Sequence, residues 1–89
     1  MIKTITILGS TGSIGKSTIK VILKNKSKFN VLLLVANRNY KELFNQAIKL
    51  NSKYIYINDS SKTEKLKKLI GKKKIKLISN FEDIHKIFK

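Results

Sequence analysis

Apolar positions fall along the chain in short runs separated by amphipathic stretches. Residues 4–8 (Thr-Ile-Thr-Ile-Leu) and 31–35 (Val-Leu-Leu-Leu-Val, with Phe29 just before) are β-branched or aliphatic almost without interruption. Such runs suit strands of a parallel sheet covered on both faces. Residues 54–57 and 75–78 predict a third and a fourth strand. Between the strands the period changes to that of a helix. Ile14, Thr18, Val21 and Ile22 form one stripe, predicted to face the sheet. Tyr40, Leu43, Phe44, Ala47 and Ile48 form a second. Leu66, Leu69 and Ile70 form a third, which Gly71 ends as a C′ residue and which Ser61 with Glu64 opens as a capping box. Asn80 is placed to cap a last helix with Phe81, Ile84 and Phe88 inward. The order β-α-β-α-β-α-β-α predicts an α/β fold with right-handed crossovers. It is a partial Rossmann-like, doubly wound parallel sheet of four βα units, in one domain over residues 1–89.

Three of the four glycines lie in Gly9-Ser10-Thr11-Gly12-Ser13-Ile14-Gly15, between the first strand and the first helix. A glycine turn there exposes backbone N–H groups at a helix N-terminus and lets an anion approach them without a Cβ in the way. The spacing is G-x-x-G-x-x-G, a variant of the dinucleotide fingerprint G-x-G-x-x-G. Two other readings stay open: a plain βα turn that binds nothing, and a P-loop ending in Gly15-Lys16-Ser17. The P-loop needs a glycine five residues before Gly15, where Ser10 stands; Gly9 is one residue too far.

The second strand ends at Ala36-Asn37-Arg38-Asn39. In a dinucleotide fold this position distinguishes NAD, whose ribose 2′-OH meets a carboxylate, from NADP, whose 2′-phosphate meets a cation. No carboxylate is present, and the chain's only arginine occupies the site. Arginine can fork onto phosphate, so NADP is the expected dinucleotide.

Composition narrows the remainder. Eighty-nine residues can form one small core. Without cysteine there is no disulfide and no thiolate metal site. No run approaches the roughly 18 apolar residues of a membrane span. The chain enters a strand within a few residues, leaving no room for a signal peptide, so a cytoplasmic location and no membrane partner are expected. A formal charge of +15 suggests nucleic acid as partner. Against that, 19 of the 20 basic residues are lysine, spread over every predicted helix. Lys, Ile and Asn make up 41 of the 89 residues and share AT-rich codons, so codon bias accounts for the lysines. No nucleic-acid partner is expected. His85 is the single histidine, and the five acidic residues (Glu42, Asp59, Glu64, Glu82, Asp83) form no evident cluster, so neither a catalytic nor a metal site is assigned.

Residues 7–15 (Ile-Leu-Gly-Ser-Thr-Gly-Ser-Ile-Gly), followed by Ser17-Thr18, resemble the opening of the 1-deoxy-D-xylulose 5-phosphate reductoisomerase family. Residues 34–39 (Leu-Val-Ala-Asn-Arg-Asn) resemble its second-strand segment, and Leu43, Gln46, Lys53 and Tyr54 also fit. The resemblance is specific over the first forty residues and loose after about residue 62. It implies an enzyme of non-mevalonate isoprenoid synthesis that rearranges its sugar phosphate and reduces the product with NADPH to 2-C-methyl-D-erythritol 4-phosphate. It further implies a divalent metal, Mg or Mn, and a homodimer for the full-length enzyme. By the resemblance, Thr11, Gly12, Ser13 and Ile14 meet the cofactor's pyrophosphate region, and Asn37, Arg38 and Asn39 face the 2′-phosphate. The family often has Gly-Lys where this chain has Asn37-Arg38; the cation is kept, and Asn37 adds a side chain. The family's metal carboxylates, lid and substrate domain fall outside these residues. The chain is therefore expected to be the N-terminal part of an NADPH-binding domain, truncated and inactive alone.

Overall fold

The computed structural model describes residues 2–88, apart from the side chains of residues 81, 85, 87 and 88. Four parallel strands form one sheet: β1 (Lys3–Leu8), β2 (Phe29–Ala36), β3 (Tyr54–Ile57) and β4 (Lys76–Leu77), in the order β1-β2-β3-β4. Three α-helices cross between them: α1 (Ser13–Lys24), α2 (Tyr40–Leu50) and α3 (Thr63–Ile70). A strand order that advances in one direction puts every right-handed crossover on the same face. Packing agrees. Ile19 and Ile22 of α1, Leu43, Ala47 and Leu50 of α2, and Leu66 and Ile70 of α3 share one core with Ile7, Val31, Leu34, Ala36, Ile55 and Ile57 of the sheet. The opposite face carries a smaller cluster, Leu33, Val35 and Ile78, with Tyr54, Tyr56 and Ile84 against it.

One irregularity puts Val31 on the same face as Leu34 and Ala36. The register runs Ile5↔Val31 and then Thr6↔Leu33, so Leu32 is an extra residue in β2. The bulge resets the alternation, and Val31 and Leu34 both reach the helix side.

Several expectations are corrected. The inward stripe of α1 is Gly15, Ile19 and Ile22; Thr18 is exposed, and Ile14 and Val21 are 82% and 57% exposed. The helix is turned by roughly one residue because Gly15, with no side chain, lets α1 approach the end of β1 more closely than an isoleucine would. Ile48 and Leu69, at the margins of their stripes, are also exposed. The Ser61–Glu64 capping box does not form. Asp59 caps a short 3-10 helix over Ser60–Lys62 instead, and α3 begins at Thr63 without a side-chain cap. Gly71 does end α3, with φ +52° and its N–H on the Lys67 carbonyl. β4 keeps only Lys76 and Leu77 of the predicted 75–78. The last predicted helix is a 3-10 helix, Phe81–Phe88, whose start Asn80 caps by accepting from the Glu82 N–H at 3.0 Å. Ile84 packs inward; the positions expected for the Phe81 and Phe88 side chains lie outside the described residues. Among the described residues no helix is long and apolar enough to cross a membrane.

β2 is paired on both sides, whereas β1 and β4 each pair on one side among the described residues. Amide exchange should therefore be slowest at Leu34 and Val35 and faster along residues 3–8. Equal protection of β1 and β2 in an exchange experiment would contradict this order of stability.

Candidate functional site

Pairing of β1 with β2 brings two loops side by side. Leu8 lies opposite Val35, and the Ser10 N–H extends the ladder by donating to the Val35 carbonyl at 3.0 Å. The glycine turn and the Asn37-Arg38-Asn39 loop thus leave the sheet together, at the C-terminal ends of adjacent strands. Open α/β sheets bind ligands at that end.

Two glycines shape the turn for different reasons. Gly9 has φ +69°, a conformation side chains disfavour. Gly15 has ordinary dihedrals but no room, since a Cβ there would run into the Gly9 carbonyl oxygen and lie 2.7 Å from the Ser10 Cα. The Gly12 N–H closes the turn on the Gly9 carbonyl at 3.0 Å, and the Lys16 N–H makes the first helical bond to Gly12 at 2.9 Å. Gly12 is the N-cap residue and supplies no side-chain cap, and the first turn of α1 holds no acid. The N–H groups of Ser13, Ile14 and Gly15 therefore have no acceptor within the helix, at its positive end. Gly12, Ser13 and Ile14 are exposed and Thr11 is half-buried at this open end of the helix. Ser17 and Thr18 spend their hydroxyls on the Ser13 and Ile14 carbonyls, at 3.1 and 3.0 Å, and Lys16 is exposed. A P-loop would instead turn that serine toward a metal ion.

The second loop is pinned on both sides. The Asn39 side chain caps α2 by accepting from the Glu42 N–H at 3.2 Å, so its oxygen is occupied and its amide N–H groups remain for a ligand. The Asn58 and Asp59 N–H groups donate to the Ala36 and Asn37 carbonyls, each at 2.9 Å, which joins the loop after β3 to the loop after β2. The backbone around Arg38 is thereby fixed while its side chain stays exposed. Asp59 was not anticipated here. Its Oδ1 accepts from the Ser61 hydroxyl at 2.6 Å and the Ser61 N–H at 3.0 Å. The hydroxyl bond first, then the N–H bond, and more weakly the Lys62 and Arg38 charges, hold its carboxyl below the ordinary value.

Gln46, matched in the resemblance but given no role there, lies buried on the sheet side of α2 and donates from Nε2 to the Ser10 carbonyl at 2.9 Å. Its signal in the sequence is a glutamine three residues after Leu43, within the apolar stripe. Among the described residues no group of three His, Cys, Asp or Glu side chains could hold a metal ion. A groove of about 990 Å³ bordered by Ile48, Lys53, Lys73 and Ile75 opens at the other end of the strands, away from these loops.

The family model for 1-deoxy-D-xylulose 5-phosphate reductoisomerase matches residues 5–89. The enzyme of that name from Pelagibacter ubique is 40% identical over 86 residues, covering 97% of this chain and 22% of the relative. That from Wigglesworthia glossinidia brevipalpis is 48% identical over 75 residues, covering 83% and 19%. Among solved structures, the Zymomonas mobilis reductoisomerase in complex with NADPH superposes with a TM-score of 0.89 at 33% identity, over 98% of this chain and 23% of that one. The chain thus spans about a fifth of the length of these relatives.

Two outcomes are expected from this geometry. Gly15→Ala should lose about 1–3 kcal/mol of stability through overpacking. Gly12→Ala, whose Cβ would sit 3.4 Å from the Gly9 oxygen, should lose much less. Urea midpoints compare the two, and equal losses would count against the close approach. The Asp59 carboxyl, followed by NMR, should titrate below 3.8, and Ser61→Ala should bring its midpoint back toward that value. Because the folded-state pKa is lowered, the hold on this loop is complete above the ordinary value and fades as pH falls through the folded one. A midpoint unmoved by Ser61→Ala would exclude the hydroxyl as the main cause.

Proposed function

Because this chain belongs to the 1-deoxy-D-xylulose 5-phosphate reductoisomerase family, we propose that it forms the N-terminal part of that enzyme's NADPH-binding domain. In this reading the turn amides and side chains of Thr11, Gly12, Ser13 and Ile14 hold the pyrophosphate. Arg38, with the amide N–H groups of Asn37 and Asn39, faces the adenosine 2′-phosphate. The observation that carries it is the juxtaposition of an uncapped glycine turn with the chain's one arginine, at the ends of two paired strands. The cradle suits a diphosphate because Gly12 and the exposed start of α1 put no carboxylate near it. The likeness to a reductoisomerase solved with NADPH supports the same cofactor.

The nicotinamide of the bound cofactor supplies a hydride in the complete enzyme. This chain's own work is to bind and orient the opposite, adenosine end. Rearrangement and reduction of the sugar phosphate to 2-C-methyl-D-erythritol 4-phosphate belong to the whole enzyme, as do the homodimer and the Mg or Mn ion. The described residues offer no carboxylate group that fits such an ion, so no step of the reaction is assigned to them. The chain alone should bind cofactor without turnover.

Titration of NADPH and NADH against the wild type and Arg38→Ala tests the proposal. A charge-assisted hydrogen bond contributes roughly 1.5–3 kcal/mol, and exposure pushes that toward the low end. About 1.4 kcal/mol corresponds to tenfold in affinity. The wild type should prefer NADPH about tenfold, and the variant should lose that preference while binding NADH as before. The same preference in both proteins would overturn the assignment of Arg38.

A further inference from the structure

The Ser10 peptide is held from three directions. Its N–H bonds to β2, its backbone carbons lie directly beneath Gly15 of α1, and its carbonyl accepts from Gln46 on α2, 36 residues away. Gln46 is only 3% exposed, and its Nε2 also lies 3.5 Å from Glu42 Oε1. Its own Oε1 and the Ser10 Oγ are buried with no hydrogen-bond partner among the described residues. A buried amide with an unpaired oxygen carries a desolvation cost that a leucine or methionine would avoid. Packing alone therefore does not account for glutamine here, whereas the bond to Ser10 does.

We infer that Gln46 is the positioning residue of the phosphate-binding turn. It fixes the orientation of the Ser10 peptide, and through it the directions of the amides at Gly12, Ser13 and Ile14. Because Gln46 lies on the helix that Asn39 caps, it also sets the glycine turn at a fixed distance from the Arg38 loop, so that one ligand can span both. The second part rests on the dinucleotide reading; the first does not.

The test is Gln46→Met, which keeps the side chain's length and removes the donor. Exchange protection of the Ser10 and Gly12 amides should fall at least tenfold, while Leu34 and Ile55 amides keep theirs. Uniform loss across the chain, or no change at Ser10 and Gly12, would overturn the inference. NADPH affinity should fall about tenfold, while adenosine 2′-monophosphate, which reaches Arg38 but has no pyrophosphate, should bind as before. Equal weakening of both ligands, or unchanged NADPH binding, would overturn the spanning role. If the wild type binds no NADPH, the dinucleotide reading fails and exchange alone judges Gln46. A second variant, Gln46→Glu, covers a methionine chain that does not fold. Its neutral acid can donate to the Ser10 carbonyl and its carboxylate cannot, so protection at Ser10 should drop as pH rises through that titration. The wild type, which keeps the neighbouring Glu42, is the control; parallel pH profiles for the two would overturn the inference.

Discussion

The approach of Gly15 to the Gly9–Ser10 peptide is the contact on which the rest of the site depends. A side chain at Gly15 would collide with backbone rather than with a movable side chain, so relief would require the helix itself to shift. That contact sets the rotation of α1, which buries Ile19 and Ile22 and leaves Ile14 and Val21 in solvent. It also sets the depth at which the helix N-terminus meets the end of β1. A backbone anion site works only if its N–H groups converge at one place; in the proposed site the missing Cβ at Gly15 allows that approach, and the Gln46 amide holds the Ser10 carbonyl beneath it.

The sheet was legible in the sequence because its signal is local. Two long apolar runs and the alternation with helical stripes led to four parallel strands in order, and the glycine turn and Arg38 were placed at the strand ends where they stand. Less legible was the phase of α1. A hydrophobic stripe is found by counting apolar residues, and the residue that anchors this stripe is a glycine, which has no side chain to count. Ser61 and Glu64 satisfied the spacing of a capping box, but Asp59, two residues before Ser61, took its hydroxyl and N–H and moved the helix start to Thr63. The bond between Gln46 and Ser10 joins residues 36 apart, and no local pattern reports such a contact. Only the polarity of Gln46 within an apolar stripe hinted at it.

Charge acts here at two ranges. The +15 balance attracts any anion to the surface, and salt weakens that attraction over about 10 Å at 0.1 M. The ion pairs Lys67–Glu64 at 3.4 Å and Lys86–Asp83 at 3.1 Å are exposed, each within its own helical turn, and contribute little. The selectivity proposed for Arg38 cannot come from this diffuse field, because NADPH and NADH are both anions. It requires a cation at a defined position. Arg38 has one because Ala36 and Asn37 are tied to the loop after β3 and Asn39 is tied to α2, so its backbone is fixed before any ligand arrives.

The layering explains why that fixing comes from one side. All three α-helices lie over the face that holds Ile7, Leu34 and Ile55, while Leu33, Val35 and Ile78 on the other face meet Ile84 from the Phe81–Phe88 segment. β1 carries the glycine turn yet is paired with β2 alone among the described residues. A strand held along one edge is freer to shift than one held along both, and a shift at Leu8 would carry the turn with it. The restraints at the turn all come from the paired side: Val35 on β2 and Gln46 on α2, with Gly15 of α1 closing over Ser10. The Arg38 loop hangs from the same β2 and the same α2. The two halves of the candidate site are thus tied to shared elements, β2 and α2, which restrain the turn against a shift of β1 and so preserve the spacing a spanning ligand needs.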